Sequence, residues 1–183
     1  MRRLLAPLRP RPADQLGTTL GTDTVHVILR LRLDLDADTV WAHLRSPETM
    51  TSLYAPAMVL RPVEAPLPAR WATGSTAEVR LLIGGRIPAG HQRVDIRLRQ
   101  RGDIRILEDT GEPTRGPLTV ITRWRHRMAV QPTADGGTLY RDRLDIHAGA
   151  LTPLLWIGFW GMWRWRGVRM RRLLHTTRTE HPA

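Results

Sequence analysis

The sequence contains no cysteine, no lysine and no asparagine among its 183 residues. The absence of cysteine excludes disulfide bridges, thiolate metal sites and cysteine nucleophiles. The absence of lysine and asparagine, together with abundant arginine, alanine, proline and glycine, is the residue usage expected of a GC-rich genome. Mutational bias therefore explains why the cations are arginines. It does not explain why the formal net charge reaches +11.

The chain also lacks a hydrophobic run long enough to cross a bilayer. The most apolar stretch lies within 149–174 and ends after about fourteen residues at Arg164, whereas a spanning helix needs roughly twenty. The N-terminus has an arginine pair and several prolines but no apolar run of signal-peptide length. We expect a disordered basic tail over 1–22, one domain over 23–178 and a C-terminal tail over 179–183. Such a protein is expected to be cytoplasmic, either free or peripheral at the membrane.

Alternating apolar and polar residues predict strands along most of the chain. The clearest alternation is the first, and it places six residues on one face: Val25, Val27, Leu29, Leu31, Leu33 and Leu35. Further strands are predicted over 57–64, 75–83, 91–99, 104–109, 118–130 and 138–148. The strand over 57–64 contains Pro62, which predicts a bent or edge strand because proline cannot donate to the ladder.

Helix-start signals mark two short helices and one long one. Asp36 can cap the first short helix, and Ser46 followed by Pro47 can start the second. Thr152 is the corresponding N-cap of a helix over 153–174, which would be about 33 Å long. The predicted order is therefore a strand, two short helices, an antiparallel meander of about six strands and a long C-terminal helix.

The last hairpin and helix carry the most specific pattern in the chain. WRHRMAVQP precedes a turn, and TLYRDRLDIHAGALTPLLW and the arginine-rich RGVRMRRLL follow it. Together with the element order, these residues resemble uncharacterised bacterial members of the SRPBCC superfamily, also called START-like or polyketide-cyclase-like, over about 25–174. The resemblance implies an α+β helix-grip fold, in which a curved antiparallel sheet of about seven strands wraps around the C-terminal helix. It also implies an apolar cavity rather than one activity, since the superfamily includes lipid carriers, metabolite binders and aromatase/cyclases.

Period-two alternation assigns the inward side chains of the last hairpin. His126 faces inward on the strand over 118–130 and Asp142 faces inward on the returning strand, while the arginines between them face water. A turn over 131–137 brings His126 and Asp142 opposite or diagonal to each other. Such a pair could act as a general acid or base in a cyclisation or dehydration. It could equally anchor a polar group of a ligand or be a buried structural pair.

The predicted function is binding or carriage of a hydrophobic small molecule or lipid in a cavity between the sheet and the C-terminal helix. One alternative is a cyclase-like or dehydratase-like enzyme with His126 and Asp142 as its catalytic residues. Another is a peripheral membrane or protein-interaction module. The predicted cavity residues are inward aromatic and polar side chains: Trp41, Trp124, His126, Met128, Tyr140, Asp142, Trp156, Phe159, Trp160 and Trp163.

The C-terminal helix is predicted to have two apolar faces. At 100° per residue one stripe should face the sheet and cavity: Trp156, Phe159, Trp163, Met170 and Leu174. Trp160 and Gly167 lie at the edge of this stripe. A second stripe lies on a different side: Leu154, Ile157, Trp165 and Val168. Arginines separate the stripes, Arg164 and Arg171 on one flank, Arg166 and Arg169 on the other. Since only one stripe can serve the cavity, the second is expected to meet a second copy in a homodimer, an anionic membrane or other parts of the chain.

Other chemistry is not indicated by the sequence. It has no GxSxG elbow, P-loop or dinucleotide fingerprint, and no cofactor is predicted. His126, Asp142 and His147 are unsuited as a metal site because His147 should point outward, so no metal is predicted. Arginines flank Trp124 as on some nucleic-acid-binding surfaces, but alternation sends the indole inward. A nucleic-acid partner is therefore not predicted.

Overall fold

The computed structural model describes residues 24–180, with side chains described as far as Leu174. The predicted tail over 1–22 lies outside this range, as do residues 181–183. The described residues form eight strands and three α-helices: β1 Val25–Leu33, α1 Ala37–Leu44, α2 Pro47–Tyr54, β2 Met58–Pro62, β3 Thr76–Ile83, β4 Ile87–Arg101, β5 Ile104–Asp109, β6 Pro113–Arg115, β7 Arg123–Pro132, β8 Thr138–His147 and α3 Thr152–Glu180.

The strands form one antiparallel sheet in the order β1-β8-β7-β5-β4-β3-β2, with the short β6 paired to β4. Burial alternates along β1 as its sequence predicts. In the β7–β8 ladder His126 stands opposite Leu144 and Met128 stands opposite Asp142. His126 and Asp142 are therefore diagonal neighbours on the inner face. The predicted α+β architecture, a curved sheet with two short helices and a long C-terminal helix, is confirmed.

The predicted starts of the two short helices are confirmed by their capping bonds. The Asp36 carboxylate accepts from the backbone N–H groups of Asp38 and Thr39 at 3.0 and 2.8 Å. Ser46 Oγ accepts from the N–H of Thr49 at 3.3 Å. The start of α3 differs from the prediction, because Thr152 Oγ1 bonds backward, accepting from Ala148 N and donating to the Gly149 carbonyl. Its hydroxyl thus closes the short 3-10 turn that precedes the helix.

The predicted strand over 118–130 is wrong in its first part. Gly116 has a φ of 85°, and Pro117 opens a 3-10 turn that lasts to Val120. A proline cannot donate to a ladder, and a residue with positive φ leaves the extended conformation, so the strand starts only at Arg123. As a result Val120 does not face inward and is 39% exposed.

The sheet-facing stripe of α3 is largely buried, as predicted. Trp163, Met170 and Leu174 lie in the core. Gly167 lies against β1, where an added Cβ would come within 3.1 Å of Leu29 Cδ1. The prediction for Arg166 is wrong: it does not separate two apolar faces at the surface but lies in the core with 1% of its area exposed.

The outer face of the sheet carries arginines, and two acidic side chains are buried beneath them. The Asp145 carboxylate binds Arg127 Nη2 at 2.9 Å and Arg143 Nε at 2.6 Å. Glu108 is 1% exposed and is paired with two arginines of the neighbouring strands: Arg99 and Arg125. Part of the positive charge of this face is therefore neutralised by buried carboxylates.

Candidate functional site

An apolar cavity lies between the sheet, α2 and α3. It holds about 630 Å³ of space between atoms, counting its open mouth. Only a small part of that space admits a water-sized sphere, so a ligand must be slim or must displace flexible side chains. Methionines suit such displacement. The walls include three of them among other apolar residues: Met50, Met58, Leu60, Leu81, Phe159 and Met162.

The cavity has a polar side formed by β5 and β7. Asp109, the last residue of β5, stands directly opposite His126 in the β5–β7 ladder, and both line the cavity. Both also line a second, smaller cavity of about 350 Å³ beneath α1 and α2. Asp109 and His126 therefore lie on a wall that the two cavities share. Trp124, Gln92 and Tyr54 add polar atoms to the first cavity.

The Asp142 carboxylate lies behind His126 and bonds to four side chains, His126 among them. Its Oδ1 lies 2.7 Å from His126 Nε2 and accepts from Trp163 Nε1 at 3.0 Å. Its Oδ2 accepts from the Tyr140 hydroxyl at 2.7 Å and from Arg166 Nε at 2.8 Å. Asp142 and Tyr140 are fully buried, and Arg166 is nearly so. A carboxylate with four donors satisfies nearly its whole acceptor capacity without water.

These contacts keep Asp142 ionised and fix which ring nitrogen of His126 carries the proton. Burial alone would raise the pKa of Asp142, but the charges of His126 and Arg166 and the hydrogen bonds from His126 and Tyr140 hold it well below its usual range. Because the ionised carboxylate can only accept, the proton on His126 resides on Nε2. In the neutral ring, Nδ1 is then the acceptor.

Asp109 is held differently. Burial raises its pKa, and this outweighs the hydrogen bonds from the N–H groups of Asp95 and Gly111, each 3.0 Å from Oδ1. A carboxyl with a raised pKa beside an imidazole is a common arrangement in acid–base sites. The indole N–H of Trp124 lies close enough to Asp109 to lower the pKa of its carboxyl, but this N–H makes no hydrogen bond.

The two cavities are lined by residues that carry buried donors without partners. In the described part of the chain, Trp124 Nε1, Trp71 Nε1 and Arg166 Nη1 are buried and make no hydrogen bond. Trp124 lines the apolar cavity, whereas Trp71 and Arg166 line the smaller one. The Arg166 guanidinium also lies 4.9 Å from the centre of the Tyr54 ring. Burial raises the pKa of Tyr54 to about 12, against the opposing charge of Arg166.

The structure brings half of the ten predicted cavity residues to a cavity wall. Trp124, His126, Phe159 and Trp163 line the apolar cavity, and Met128 lines the smaller one. Tyr140 and Asp142 are buried behind His126 and line neither. Asp142 therefore orients His126 rather than facing a ligand.

The other three predicted residues lie elsewhere. The Trp41 ring packs beneath the Arg105 guanidinium, 5.7 Å away. Trp156 Nε1 donates to the His26 carbonyl at 3.2 Å, and Trp160 is 36% exposed. None of the three lines either of the two cavities. In the described residues no group of three His, Cys, Asp or Glu is arranged to hold a metal ion.

Sequence reasoning missed Asp109 and Arg166. Asp109 has the same parity as Leu107 on β5, so alternation alone would place its carboxyl inward. For Arg166 the only signal was indirect, because an inward aspartate in an apolar interior requires a cation. The angular position of Arg166 on the helix cannot reveal that α2 covers that flank.

Comparisons with known proteins support the fold. No family model and no curated protein matches the sequence. Protein Ms6760 from Mycobacterium smegmatis is similar in structure, with a TM-score of 0.58 and 15% identity over 89% of this chain and 97% of that one. A point mutant of Thalictrum flavum norcoclaurine synthase, in complex with a transition-state analogue, has a TM-score of 0.58 and 14% identity over 90% and 99%. An Arthrobacter aurescens protein has a TM-score of 0.58 and 11% identity over 88% and 92%. The chain therefore has the helix-grip fold.

Proposed function

We propose that this protein is a START-like member of the SRPBCC superfamily that binds a slim hydrophobic molecule, or the apolar part of a lipid, in the apolar cavity. The observation that carries the proposal is the combination of methionine-rich walls with a localised polar side at Asp109 and His126. Apolar walls supply affinity through the area removed from water, and a few fixed polar groups supply orientation.

The unpartnered donors indicate the chemistry of the ligand's polar end. The buried donors without partners at the two cavities are all N–H groups, which leaves them to be satisfied by an acceptor. A buried donor without a partner costs about 1–3 kcal/mol, so a ligand that satisfies one gains affinity. The favoured ligand is therefore apolar along most of its length and carries a carbonyl, ether or hydroxyl oxygen. That oxygen would lie beside Trp124.

A neutral fluorescent probe tests the proposal, because an anionic dye would also bind the arginine-rich surface. N-phenylnaphthylamine should bind with one-to-one stoichiometry and a blue-shifted emission. Leu60→Trp places a larger side chain in the cavity wall and should weaken binding at least about tenfold, since the site has little spare width. Val63→Trp is the matched control, because Val63 is exposed and lies outside the wall. Equal affinity of both variants would contradict the cavity as the binding site.

Acid–base catalysis in the same cavity is the second candidate, and the position of Asp109 favours it. Its carboxylate is a stronger base than an exposed aspartate because burial raises its pKa. His126, oriented by its bond to Asp142, lines the same wall. Such a pair can remove a proton from carbon and return one to oxygen, as a cyclisation with loss of water requires.

The Kemp elimination of 5-nitrobenzisoxazole detects such a base without knowledge of the natural substrate. The base removes the ring C–H proton while the N–O bond breaks, giving a cyanophenolate that absorbs visible light. Wild-type protein should exceed the rate of an equal concentration of acetate or imidazole, and Asp109→Asn should abolish the excess. Leu60→Trp should abolish it as well, because the substrate must enter the cavity. An excess rate that survives Asp109→Asn would reject a catalytic Asp109, and one that survives Leu60→Trp would reject the cavity as the site of reaction.

A further inference from the structure

The face of α3 turned away from the sheet is exposed and carries several apolar side chains together with Arg164, Arg171 and Arg172. Leu154 and Ile157, one helical turn apart, are 67% and 61% exposed, and Val168 is 44% exposed. Leu151, just before the helix, is 45% exposed. A soluble helix normally turns charged residues to this side. We call Leu151, Leu154, Ile157, Trp160 and Val168 the outer face of α3.

The structure changes which tryptophan belongs to this face. Trp165 was expected here, but it is half-buried against the end of α2, and its Nε1 donates to the Ala55 carbonyl at 3.3 Å. Trp160 instead stands at the edge of the outer face. The guanidinium of Arg164 lies 5.3 Å from the centre of its ring. An indole beside an arginine at the edge of an apolar strip is typical of helices that lie at a membrane interface.

Charge distinguishes a membrane from a second copy of the chain. Residues 146–174 contain no aspartate or glutamate, and three of their five arginines are exposed: Arg164, Arg171 and Arg172. In a two-fold dimer formed through this face, the exposed arginines of one copy would meet the same arginine-bearing face of the other, which has no acidic residue between 146 and 174. Anionic lipid headgroups supply the missing negative charge at the rim of an apolar layer.

We propose that the outer face of α3 docks on the surface of an anionic membrane. Within residues 24–180 no helix is long and apolar enough to cross a bilayer, so α3 would lie in the plane of the interface. The apolar strip from Leu154 to Val168 is about 21 Å long, enough to bury several side chains among the acyl chains. Phe159 and Met162, which line the apolar cavity, lie on the same helix. The docked helix would therefore hold the cavity close to lipid.

Co-sedimentation of the full chain with vesicles tests this docking. Vesicles of phosphatidylcholine with phosphatidylglycerol should bind the protein at low salt, and phosphatidylcholine alone should bind it much less. The double variant Leu154→Glu/Ile157→Glu should lower the partition coefficient at least about tenfold, because it removes two inserted apolar side chains and adds two repelled charges. Ile87→Glu is the matched control: Ile87 is 64% exposed but lies at the start of β4. Both variants should keep the wild-type circular dichroism spectrum, since the changed side chains are exposed.

Three outcomes would overturn the proposal. One is absence of binding to anionic vesicles at low salt. Another is an equal loss of binding in the Ile87→Glu control, which would indicate non-specific attraction to the basic surface. The third is a wild-type dimer in light scattering that the double variant converts to a monomer without any vesicle binding, which would make the outer face a subunit interface. None of these depends on whether N-phenylnaphthylamine binds in the cavity.

Discussion

Replacing Asp142 with asparagine is expected to destabilise the protein more than any other conservative change at the site. Asp142 is fully buried and is the carboxylate that pairs with the buried guanidinium of Arg166. Asparagine keeps the shape but leaves Arg166 charged in the core without a counter-ion. Removing one partner of a buried ion pair costs about 3–5 kcal/mol. For a domain of this size that corresponds to a fall in Tm of about 6–20 °C.

Urea unfolding followed by circular dichroism measures this cost, and a double-mutant cycle identifies its origin. Arg166→Met alone should also destabilise strongly, whereas Asp142→Asn/Arg166→Met should cost clearly less than the sum of the two single changes. Asp38→Asn is the surface control. The Asp38 side chain, which pairs with Arg105, is 90% exposed, so this change should not lower the free energy of unfolding measurably. A cost below about 1 kcal/mol for Asp142→Asn, or additive single changes, would refute the ion-pair argument.

The difference in stability between wild type and Asp142→Asn should change with pH in a defined direction. The pKa of Asp142 is depressed in the folded state, so its stabilising contribution is fully present above the unfolded pKa of about 4. It is lost as the pH falls through the folded pKa. The gap between wild type and Asp142→Asn should therefore be constant from pH 7 down to about pH 4 and should narrow below that.

Four further substitutions test other parts of the account in the same unfolding assay. Asp109→Asn should be more stable than wild type at pH 7 and should lose that advantage in acid. Because the pKa of Asp109 is raised in the folded state, its ionisation lowers the stability of wild type as the pH rises. A variant less stable than wild type at pH 7 would contradict the burial of this charge. Glu108→Gln should cost about 1 kcal/mol by removing the counter-ion of two half-exposed arginines, and no loss would show that this pairing contributes nothing. Gly111→Ala should cost more than about 2 kcal/mol, since its Cβ would lie 1.9 Å from the Arg93 carbonyl oxygen. Gly158→Ala, in open space on α3, should instead stabilise by about 0.5–1 kcal/mol, and equal effects of the two glycine changes would contradict the described packing.

The strands, the caps of the short helices and the inner face of the last hairpin follow from local rules. Period two places His126 and Asp142 on one face, and Asp36 and Ser46 satisfy backbone donors within four residues. Such features depend on neighbours along the chain or across one turn, which the sequence displays directly.

The parts that the sequence could not predict depend on packing between distant elements. Arg166 is buried because α2 closes over its flank of α3 and Asp142 supplies the charge. Trp165 is covered for the same reason, through its bond to Ala55. Trp156 and Trp160 look like cavity residues in a helical projection, yet a projection does not show how far along the helix the cavity extends.

Methionine methyl NMR tests ligand binding in the apolar cavity most directly, because the chain has methionines both in the cavity wall and away from it. Met50, Met58 and Met162 line the apolar cavity, whereas Met170 is buried in the core away from it. Titration of the methyl-labelled protein with N-phenylnaphthylamine should give saturable shifts at the first three methyl groups, and nuclear Overhauser contacts from each to the naphthyl ring. The Met170 signal should not move. Shifts confined to other methionines, or no saturable shift at the three lining methyl groups, would contradict binding in this cavity.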